Sequence, residues 1–232
     1  MKNIAVIPAR GGSKRIPHKN IIDFRGRPMI AWTIEAALCS GIFDTVLVST
    51  DDEKIAQISE LEGAEVPFLR NTKADDHSAA SEATIASLIQ YMDHFDTNFE
   101  NVVQLMPNCP LRGVPEIVSA WEHFIIGKHN FQISAFEFGW MNPWWAARIK
   151  NNYQPDWIFP KALEVRSQDL DKLYCPTGAI WIAKVPQLIA EKTFYGNGLN
   201  LYPIEWQRAV DIDDWDDFKM CNALAHITEL SE

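Results

Sequence analysis

Residues Ile4–Asn20 read IAVIPARGGSKRIPHKN, an apolar run followed at once by two glycines and a group of basic residues. The run Ile4–Pro8 has the length and continuous apolar character of a strand buried on both faces of a parallel sheet. A glycine-rich turn directly after such a strand lets the backbone approach a ligand closely. This stretch therefore predicts the first strand of an α/β fold, with a ligand site at its carboxyl end.

Strand-like and helix-like segments alternate along the rest of the chain. The sequence predicts strands over Thr45–Ser49, Asn101–Met106, Phe131–Phe138 and Gly178–Ala183. It predicts helices over Pro28–Ser40, from Asp51 or Asp52 to Gly63, and over Ser81–Met92, Pro115–Ile126 and Asp214–Ile227. We therefore expect a single α/β domain, a Rossmann-like, mostly parallel sheet with helices on both faces. Ligands are then expected after Pro8, after Thr50 and after Met106.

Composition excludes several classes of protein. The 232 residues hold 21 Lys and Arg against 31 Asp and Glu, a net charge of −10, which excludes a generally basic nucleic-acid binder. The four cysteines form no CxxC pair, so we expect reduced thiols and neither a disulfide framework nor a zinc site. The N-terminal apolar run is too short for a signal peptide, and no stretch approaches about 18 apolar residues. A soluble cytoplasmic protein is expected.

The alternation of strands and helices breaks at about residues 139–175, a segment that we call the excursion. Four of the nine tryptophans lie there, with three prolines and no helical stripe. Clustered aromatic side chains without a regular helix are typical of a surface that packs on a second chain. We therefore predict an inserted dimerisation segment; the alternative is a long hairpin that covers its own core.

The Gly11-Gly12 turn predicts a phosphate site. Four cations lie around it within ten residues: Arg10, Lys14, Arg15 and Lys19. The amides of such a turn can approach an anion and the cations neutralise its charge, which a triphosphate requires in a protein of net negative charge. The turn matches neither the Walker A pattern GxxxxGK[ST] nor the dinucleotide pattern GxGxxG. The alternative is a solvated basic turn.

Asp211 and Asp213 flank Ile212, so both carboxylates would share one face of a strand. Two carboxylates on one face repel each other unless a cation joins them, and Mg²⁺ is held by one or two carboxylates plus substrate phosphates. We therefore predict that Asp211 and Asp213 bind Mg²⁺. The alternative is helix capping by the acidic run, for which Asp214 is the best candidate.

Several blocks of the sequence resemble the sugar-acid cytidylyltransferases, above all the enzymes for nonulosonic acids (sialic, legionaminic and pseudaminic acid) and, more distantly, the Kdo-activating enzymes. The blocks follow the family's order along nearly the whole chain. They are Ile7–Asn20 (IPARGGSKRIPHKN), Val48–Asp52 (VSTDD), Phe68–Arg70 (FLR), Cys109–Arg112 (CPLR), Arg166–Leu170 (RSQDL), Pro176–Ile182 (PTGAIWI) and Val210–Asp214 (VDIDD).

The resemblance implies that CTP and a keto-sugar acid are joined to a CMP-sugar, with Mg²⁺ and release of pyrophosphate. It implies catalytic roles for Arg10, Lys19, Asp211 and Asp213. It implies CTP contacts from Arg10, Gly11, Gly12, Lys19, Asn20, Arg70, Ala79 and Ser81, and sugar-acid contacts from Met106, Arg166, Gln168 and Tyr174. The turn Ala79–Ser81 would lie against the cytosine, although Ser78 and Ser81 would serve equally as helix caps. Similar enzymes form homodimers and complete each sugar site across the interface.

The sequence departs from the family's pattern on the sugar side. Met106 stands where sialic acid enzymes typically have Gln, Cys175 where Arg often precedes Pro, and Thr177 where Asn is usual. Fewer polar contacts favour a sugar acid with fewer hydroxyl groups over N-acetylneuraminic acid. The alternative is that Asn108, Trp144 or Trp145 restores the contacts. Two other functions stay open: transfer to another sugar such as Kdo, and a catalytically silent nucleotide- or sugar-binding protein.

Overall fold

The computed structural model of the protein describes residues 1–70 and 80–229. Its strands are β1 (Asn3–Pro8), β2 (Asp23–Phe24), β3 (Arg27–Pro28), β4 (Thr45–Ser49), β5 (Asn101–Gln104), β6 (Phe131–Glu137), β7 (Ala147–Ile149), β8 (Pro155–Trp157), β9 (Tyr174–Lys184) and β10 (Leu199–Pro203). Its helices are α1 (Met29–Cys39), α2 (Glu53–Leu61), α3 (Ala80–Phe95), α4 (Val114–Ile126), α5 (Val185–Glu191), α6 (Trp206–Ala209) and α7 (Trp215–Glu229). None of these helices has both the length and the apolar character needed to cross a lipid bilayer.

Six strands form the central sheet in the order β10-β6-β9-β5-β1-β4. Strand β1 pairs in parallel with β4 on one side and β5 on the other, and β10 pairs in parallel with β6. Strand β9 runs antiparallel between β5 and β6. The prediction of a mostly parallel sheet is therefore confirmed, with β9 as its reversed strand in the described part of the chain.

Alternate residues of β1 face opposite layers of helices. Ala5 and Ile7 lie in a core with side chains of α1, α2 and α4. Ile4 and Val6 lie in a second core with side chains of α3 and α5. Because successive side chains of a strand point to opposite faces, this division places helices on both faces of the sheet, as predicted.

The start of α2 is set by Asp52. Its carboxylate accepts the backbone N–H groups of Lys54 (2.8 Å) and Ile55 (3.0 Å), which have no partner inside the helix. Of the two candidate caps, Asp52 rather than Asp51 is the one used. Gly63, with a φ of 95°, follows the end of the helix and allows the chain to turn away.

The excursion joins β6 to β9 and contains the antiparallel pair β7 and β8. It is a hairpin, as the alternative reading expected, and it has a small aromatic contact between Trp144 and Phe159, whose ring centroids are 5.0 Å apart. The residues of the excursion do not cover its own apolar side chains, however, because every residue of β7 and β8 is exposed and Trp140 is 85% exposed. The described excursion thus presents an uncovered apolar surface.

The carboxyl ends of β1, β4 and β5 meet at one edge of the sheet. From β1 the chain passes to β4 on one side and then to β5 on the other, so the direction of winding reverses at β1. Loops diverge at such a point and leave a crevice between them. The ligand site is therefore expected beyond Pro8, where β1 ends.

Candidate active site

A cavity of about 230 Å³ lies beyond the carboxyl ends of β1, β4 and β5. The described residues that line it are Pro8, Arg10, Ser13, Arg15, Lys19, Asn20, Arg70, Ala80, Ala83, Met106, Pro107, Asn108 and Asp213. Its walls thus come from the loops after β1 and β5, from Arg70, from the start of α3 and from the segment before α7. Two of the three positions singled out in the sequence, those after Pro8 and after Met106, line the cavity, whereas the residues directly after Thr50 are not among its described lining residues.

Four basic side chains line the cavity with one acidic side chain, Asp213: Arg10, Arg15, Lys19 and Arg70. Lys14, the other cation of the turn, is not among the described lining residues. Concentrated positive charge in a concave site attracts anions, even though the whole chain carries a net charge of −10. The cavity therefore has the electrostatics that a triphosphate or a carboxylate needs.

Two hydrogen bonds hold the turn that carries Arg10. Asn20 is buried, and its Nδ2 donates to the carbonyl of Arg10 at 2.9 Å. The N–H of Gly11 donates to Oδ1 of Asp51 at 2.9 Å. A Cβ on Gly11 would lie 2.7 Å from Oδ2 of Asp52, so the residue has to be glycine for the turn to lie this close to the start of α2. Phosphate binding by Gly11 and Gly12, which are not lining residues, stays a prediction.

Arg70 is buried beside the end of β4, with 5% of its surface exposed. Its Nη1 donates to Oγ of Ser49 at 3.2 Å, and that hydroxyl shares a 2.5 Å hydrogen bond with Ser87 of α3. Burial lowers the pKa of Arg70, the charge of Asp51 opposes this shift, and the charge of Arg10 adds to it. Because Arg10 and Arg70 line one cavity and repel each other, the binding of an anion there would be favourable to both.

Asp213 is the acidic centre of the cavity. Its carboxylate accepts hydrogen bonds from Arg15 Nη2 (2.6 Å), Lys19 Nζ (2.8 Å) and Asn108 Nδ2 (3.3 Å). Burial by itself would raise the pKa of Asp213, but the hydrogen bonds and charges of Lys19 and Arg15 outweigh it and lower the pKa. Asp213 is therefore held as an anion between two cations.

Asp211 differs from Asp213 in its surroundings. Burial and the charge of Asp213 raise its pKa, and it is not among the described residues that line the cavity. The segment from Asp211 to Asp213 is not a strand, which corrects the prediction. The segment instead runs alongside the loop after β5, because the N–H of Ile212 donates to the carbonyl of Asn108 in that loop at 2.8 Å. Buried Ile212 still separates the two aspartates.

Capping accounts for part of the acidic run, as predicted. Oδ1 of Asp214 accepts the N–H groups of Asp216 (2.9 Å) and Asp217 (3.0 Å) at the start of α7. Asp211 and Asp213 do not serve as this cap. Throughout residues 1–70 and 80–229, no three His, Cys, Asp or Glu side chains form a group that could hold a metal ion. Mg²⁺ binding by Asp211 and Asp213 stays a prediction: the donor chemistry fits, because Mg²⁺ is held by one or two carboxylates and takes its other ligands from phosphates and water.

Met106 forms the wall of the cavity next to β9. Its side chain covers Gly178, where a Cβ would lie 3.1 Å from Met106 Cγ. Beneath it, buried Gln104 offers its Nε2 to Met106 Sδ at 3.9 Å, and Thr84 of α3 donates to Gln104 Oε1 at 2.8 Å. This wall is soft and weakly polar.

Three predicted sugar-acid residues lie away from this cavity. Arg166 is exposed and pairs with Asp169 (Nε–Oδ2, 2.7 Å). Gln168 lines a second cavity, of about 420 Å³, at the base of the excursion. Tyr174 is exposed at the start of β9, in a groove with Trp206. The structure of one chain therefore does not bring these side chains to Arg10 and Lys19.

The segment predicted to face the cytosine is described only in part, because Ala79 and Ser78 lie outside the described residues. Ser81 lies within the first described turn of α3. Ala80 and Ala83, from the same turn, line the cavity. Small side chains at the start of α3 thus form one wall, but Ser81 is not among the described lining residues, and its contact with the cytosine stays a prediction.

Two contacts of the site were not expected from the sequence. Arg15 was recognised only as one of the turn's cations, and it pairs with Asp213 almost two hundred residues away. Ser49 accepts a hydrogen bond from Arg70 and is itself hydrogen-bonded to Ser87. The available signal for Ser49 was its position as the last residue of a predicted strand; nothing in the sequence marks Ser87, because its contact depends on how α3 packs.

Comparison with known proteins identifies the family of this chain. A family model described as cytidylyltransferase matches residues 4–105. The pseudaminic acid cytidylyltransferase of Campylobacter jejuni is 35% identical over 232 residues, which are 100% of this chain and 99% of that protein. The CMP-N,N'-diacetyllegionaminic acid synthase of Legionella pneumophila is 32% identical, covering 99% of this chain and 98% of that protein.

A solved structure of CMP:2-keto-3-deoxy-manno-octonic acid synthetase complexed with CTP has the same fold. It superposes with a TM-score of 0.72 at 16% identity, covering 98% of this chain and 100% of that one. The sequence relatives align over essentially their whole length, and the residues they match include the loops that form the cavity. On these grounds the chain belongs to the cytidylyltransferase family.

Proposed function

We propose that this chain transfers the cytidylyl group of CTP to a nonulosonic acid and releases pyrophosphate. The observation that carries the proposal is the convergence of Arg10, Arg15, Lys19 and Arg70 on one cavity in a protein of net charge −10. The names of the relatives, a pseudaminic acid cytidylyltransferase and a legionaminic acid synthase, supply the substrate class.

In the proposed reaction the anomeric hydroxyl of the sugar acid attacks the α-phosphorus of CTP. The new bond joins the sugar oxygen to the α-phosphorus, the bond from the α-phosphorus to the bridging oxygen breaks, and the hydroxyl proton leaves to solvent. Such a transfer depends on alignment and on charge neutralisation rather than on a covalent intermediate. Arg10 and Lys19 would bind the phosphates, with Arg70 behind them.

Asp211 and Asp213 would hold Mg²⁺ together with the phosphates of CTP. When bound, the ion offsets negative charge on the phosphate oxygens. Without it, Lys19 and Arg15 neutralise Asp213. In a complex with CTP, Lys19 would bind a phosphate in place of Asp213, and Asp213 would keep Arg15 as a cationic partner.

We propose further that the sugar acid is a deoxygenated, diamino nonulosonate of the pseudaminic or legionaminic type. Met106 offers a thioether where a hydroxyl-rich sugar needs a hydrogen-bonding group. Thr177 is buried and already donates to the carbonyl of Ala209 at 3.0 Å, so its hydroxyl is engaged within the fold. A sugar that presents an apolar group to this wall loses fewer hydrogen bonds on binding than N-acetylneuraminic acid does.

The proposed active form is a cytoplasmic homodimer. All four cysteines are free, which suits a reducing compartment. The uncovered excursion would pack on a second copy of the chain, and its Arg166 and Gln168 would reach the partner's sugar site because they do not line their own.

Pyrophosphate release tests the function. We expect turnover with CTP and Mg²⁺ but not with UTP, ATP or GTP, and a higher kcat/KM for pseudaminic or legionaminic acid than for N-acetylneuraminic acid or Kdo. Arg10→Ala should lose about 2–4 kcal/mol of transition-state stabilisation, the scale of one preorganised donor, whereas Lys14→Ala in the same turn should lose little. If no sugar acid gives release of pyrophosphate while CTP binding is measurable, the chain is instead a binding protein without catalytic activity.

A further inference from the structure

Arg112 is a buried cation without a carboxylate partner in the described structure. Only 1% of its surface is exposed, and burial lowers its pKa to about 10. Among residues 1–70 and 80–229, its Nε and Nη1 find no hydrogen-bond acceptor. The carboxylate of Glu116 accepts instead from Gly113 N–H at 2.8 Å and lies 3.8 Å from Arg208 Nε. Burying an unpaired cation is unfavourable, so the position of Arg112 calls for a reason other than stability.

The contacts that Arg112 does make converge on a single carbonyl. Its Nη2 donates to the carbonyl of Met106 at 3.3 Å and to Oγ1 of Thr33 at 3.0 Å. The Thr33 hydroxyl donates to the same Met106 carbonyl at 3.4 Å. Met106 is the point at which the chain leaves β5 and enters the cavity wall. Arg112 therefore ties the end of its own loop back to the loop's beginning.

The loop held in this way carries two groups of the site. Met106 lies against Gly178 on the sugar side of the cavity. Asn108 donates to the carbonyl of Ile212 at 3.2 Å and to Oδ1 of Asp213 at 3.3 Å. A rotation of the Met106 peptide would move both groups relative to each other.

We propose that Arg112 is a positioning residue for the sugar-acid side of the reaction. Its planar guanidinium fixes the Met106 carbonyl and so sets where the Met106 thioether faces the sugar acid. The assignment rests on the proposed function for the identity of the substrate, but the positioning of Met106 is a property of the free protein. A guanidinium suits this role because the two N–H groups of Nη2 lie in one rigid plane and point to two oxygens at once, whereas the ammonium of Lys rotates on a flexible stem.

Kinetics with each substrate varied separately give the first test. Arg112→Lys keeps a cation, and Thr33→Val keeps the volume of the side chain while removing the hydroxyl. Both should raise the KM of the sugar acid about tenfold, the scale of one hydrogen bond to a charged group, and leave the KM of CTP within about twofold. Arg208→Met is the matched control, because Arg208 Nη1 donates to the carbonyl of Leu111 in the same loop from outside the cavity. An equal rise in KM for the sugar acid and for CTP would overturn the proposal.

A second measurement needs no substrate. In protein labelled with ¹³C-methyl methionine, the Met106 signal is identified by its loss in Met106→Leu. Arg112→Lys and Thr33→Val should shift this signal, and Arg208→Met should leave it in place; an unshifted signal in both variants would overturn the proposal. If Arg112→Lys does not fold, Thr33→Val carries the test alone. A shifted signal in an enzyme that turns over no nonulosonic acid would support positioning of Met106 and remove the proposed function.

Discussion

Gly11 and Gly12 are neighbours in the sequence with opposite surroundings. A Cβ on Gly11 would lie 2.7 Å from Asp52 Oδ2, whereas no described atom lies within 4 Å of a Cβ on Gly12. Asp52 caps α2 through Lys54 and Ile55. An alanine at position 11 therefore has to displace the cap, and an alanine at position 12 displaces nothing.

We expect Gly11→Ala to lower the free energy of unfolding by about 0.5–2 kcal/mol, the usual loss for a helix cap, and Gly12→Ala by less than about 0.5 kcal/mol. Urea unfolding measures both. Gly11→Ala and Asp52→Ala disturb the same helix cap. The double variant should therefore lose less free energy of unfolding than the sum of the losses of these two single variants. Equal losses for the two glycine variants would show that the close approach to Asp52 is unimportant.

At the residue scale, the sequence revealed the side chains that a turn or a strand end exposes and missed those that depend on packing. Arg10 and Lys19 were found because they follow the first strand. Arg112 belongs to the block Cys109–Arg112, but its burial depends on tertiary structure. From the sequence alone, a buried arginine cannot be distinguished from a solvated one. The acceptor of the Gly11 amide, Asp51, was hidden for the same reason, since forty residues separate the two.

At the scale of elements, hydrophobic periodicity predicted β1, β4, β5, β6 and the central part of β9, together with helices α1 to α4 and α7. It did not predict β10, α5 or α6. It did not predict strand order or the reversal of β9, because periodicity reports which face of an element is buried and not which neighbour it pairs with. The segment from Asp211 to Asp213 shows the same limit. Alternating burial around Ile212 resembles a strand, yet the segment pairs with the loop after β5.

Helix α7 contributes a buried thiol whose ionisation can be followed. Burial raises the pKa of Cys221 to about 12 and also raises the pKa of Cys109, while Cys39 is exposed. The folded state therefore keeps protons that unfolded thiols release near pH 9.0. Stability linked to these thiols is present below about pH 9 and is lost as the pH rises toward 12.

Iodoacetamide at pH 8 should accordingly modify Cys39 in the folded protein and reach Cys109 and Cys221 only on unfolding, as peptide mass spectrometry will show. Between pH 9 and 11, the free energy of unfolding should fall less steeply in Cys221→Ala than in the parent protein. Labelling of Cys221 as fast as Cys39, or identical slopes in the two proteins, would contradict the assignment of a buried, protonated thiol to α7.

At the scale of the whole molecule, one chain holds a cationic cavity, while three of the residues that the family resemblance implies for the sugar acid, Arg166, Gln168 and Tyr174, lie outside it. Arg166 and Gln168 belong to the excursion, whose described apolar residues are largely exposed. The sequence places both residues in a motif but not in space, because in the proposed dimer their position relative to a cavity would depend on a second chain. The arrangement becomes consistent if two copies exchange their excursions.

A mixing experiment tests this arrangement directly. Arg10→Ala removes a group that lines the chain's own cavity, and Arg166→Ala removes a group that the proposal assigns to the partner's cavity. Each variant alone should be inactive as a homodimer of twice 26.4 kDa. In a mixed dimer, however, the cavity of the Arg166→Ala chain has its own Arg10 and receives an intact Arg166 from the other chain.

Mixing the two variants, with subunit exchange in dilute urea followed by its removal, should therefore restore activity to about a quarter of the parent level. Random pairing makes half of the dimers mixed, and each mixed dimer has one intact site of two. If Arg166 acted on its own cavity, both sites of every dimer would lack one arginine and the mixture would stay inactive. Sedimentation of a stable 26.4 kDa monomer at assay concentration would overturn the dimer itself. Exchange of Lys14→Ala chains with the parent, which alters no residue assigned to either site, controls for damage by the procedure.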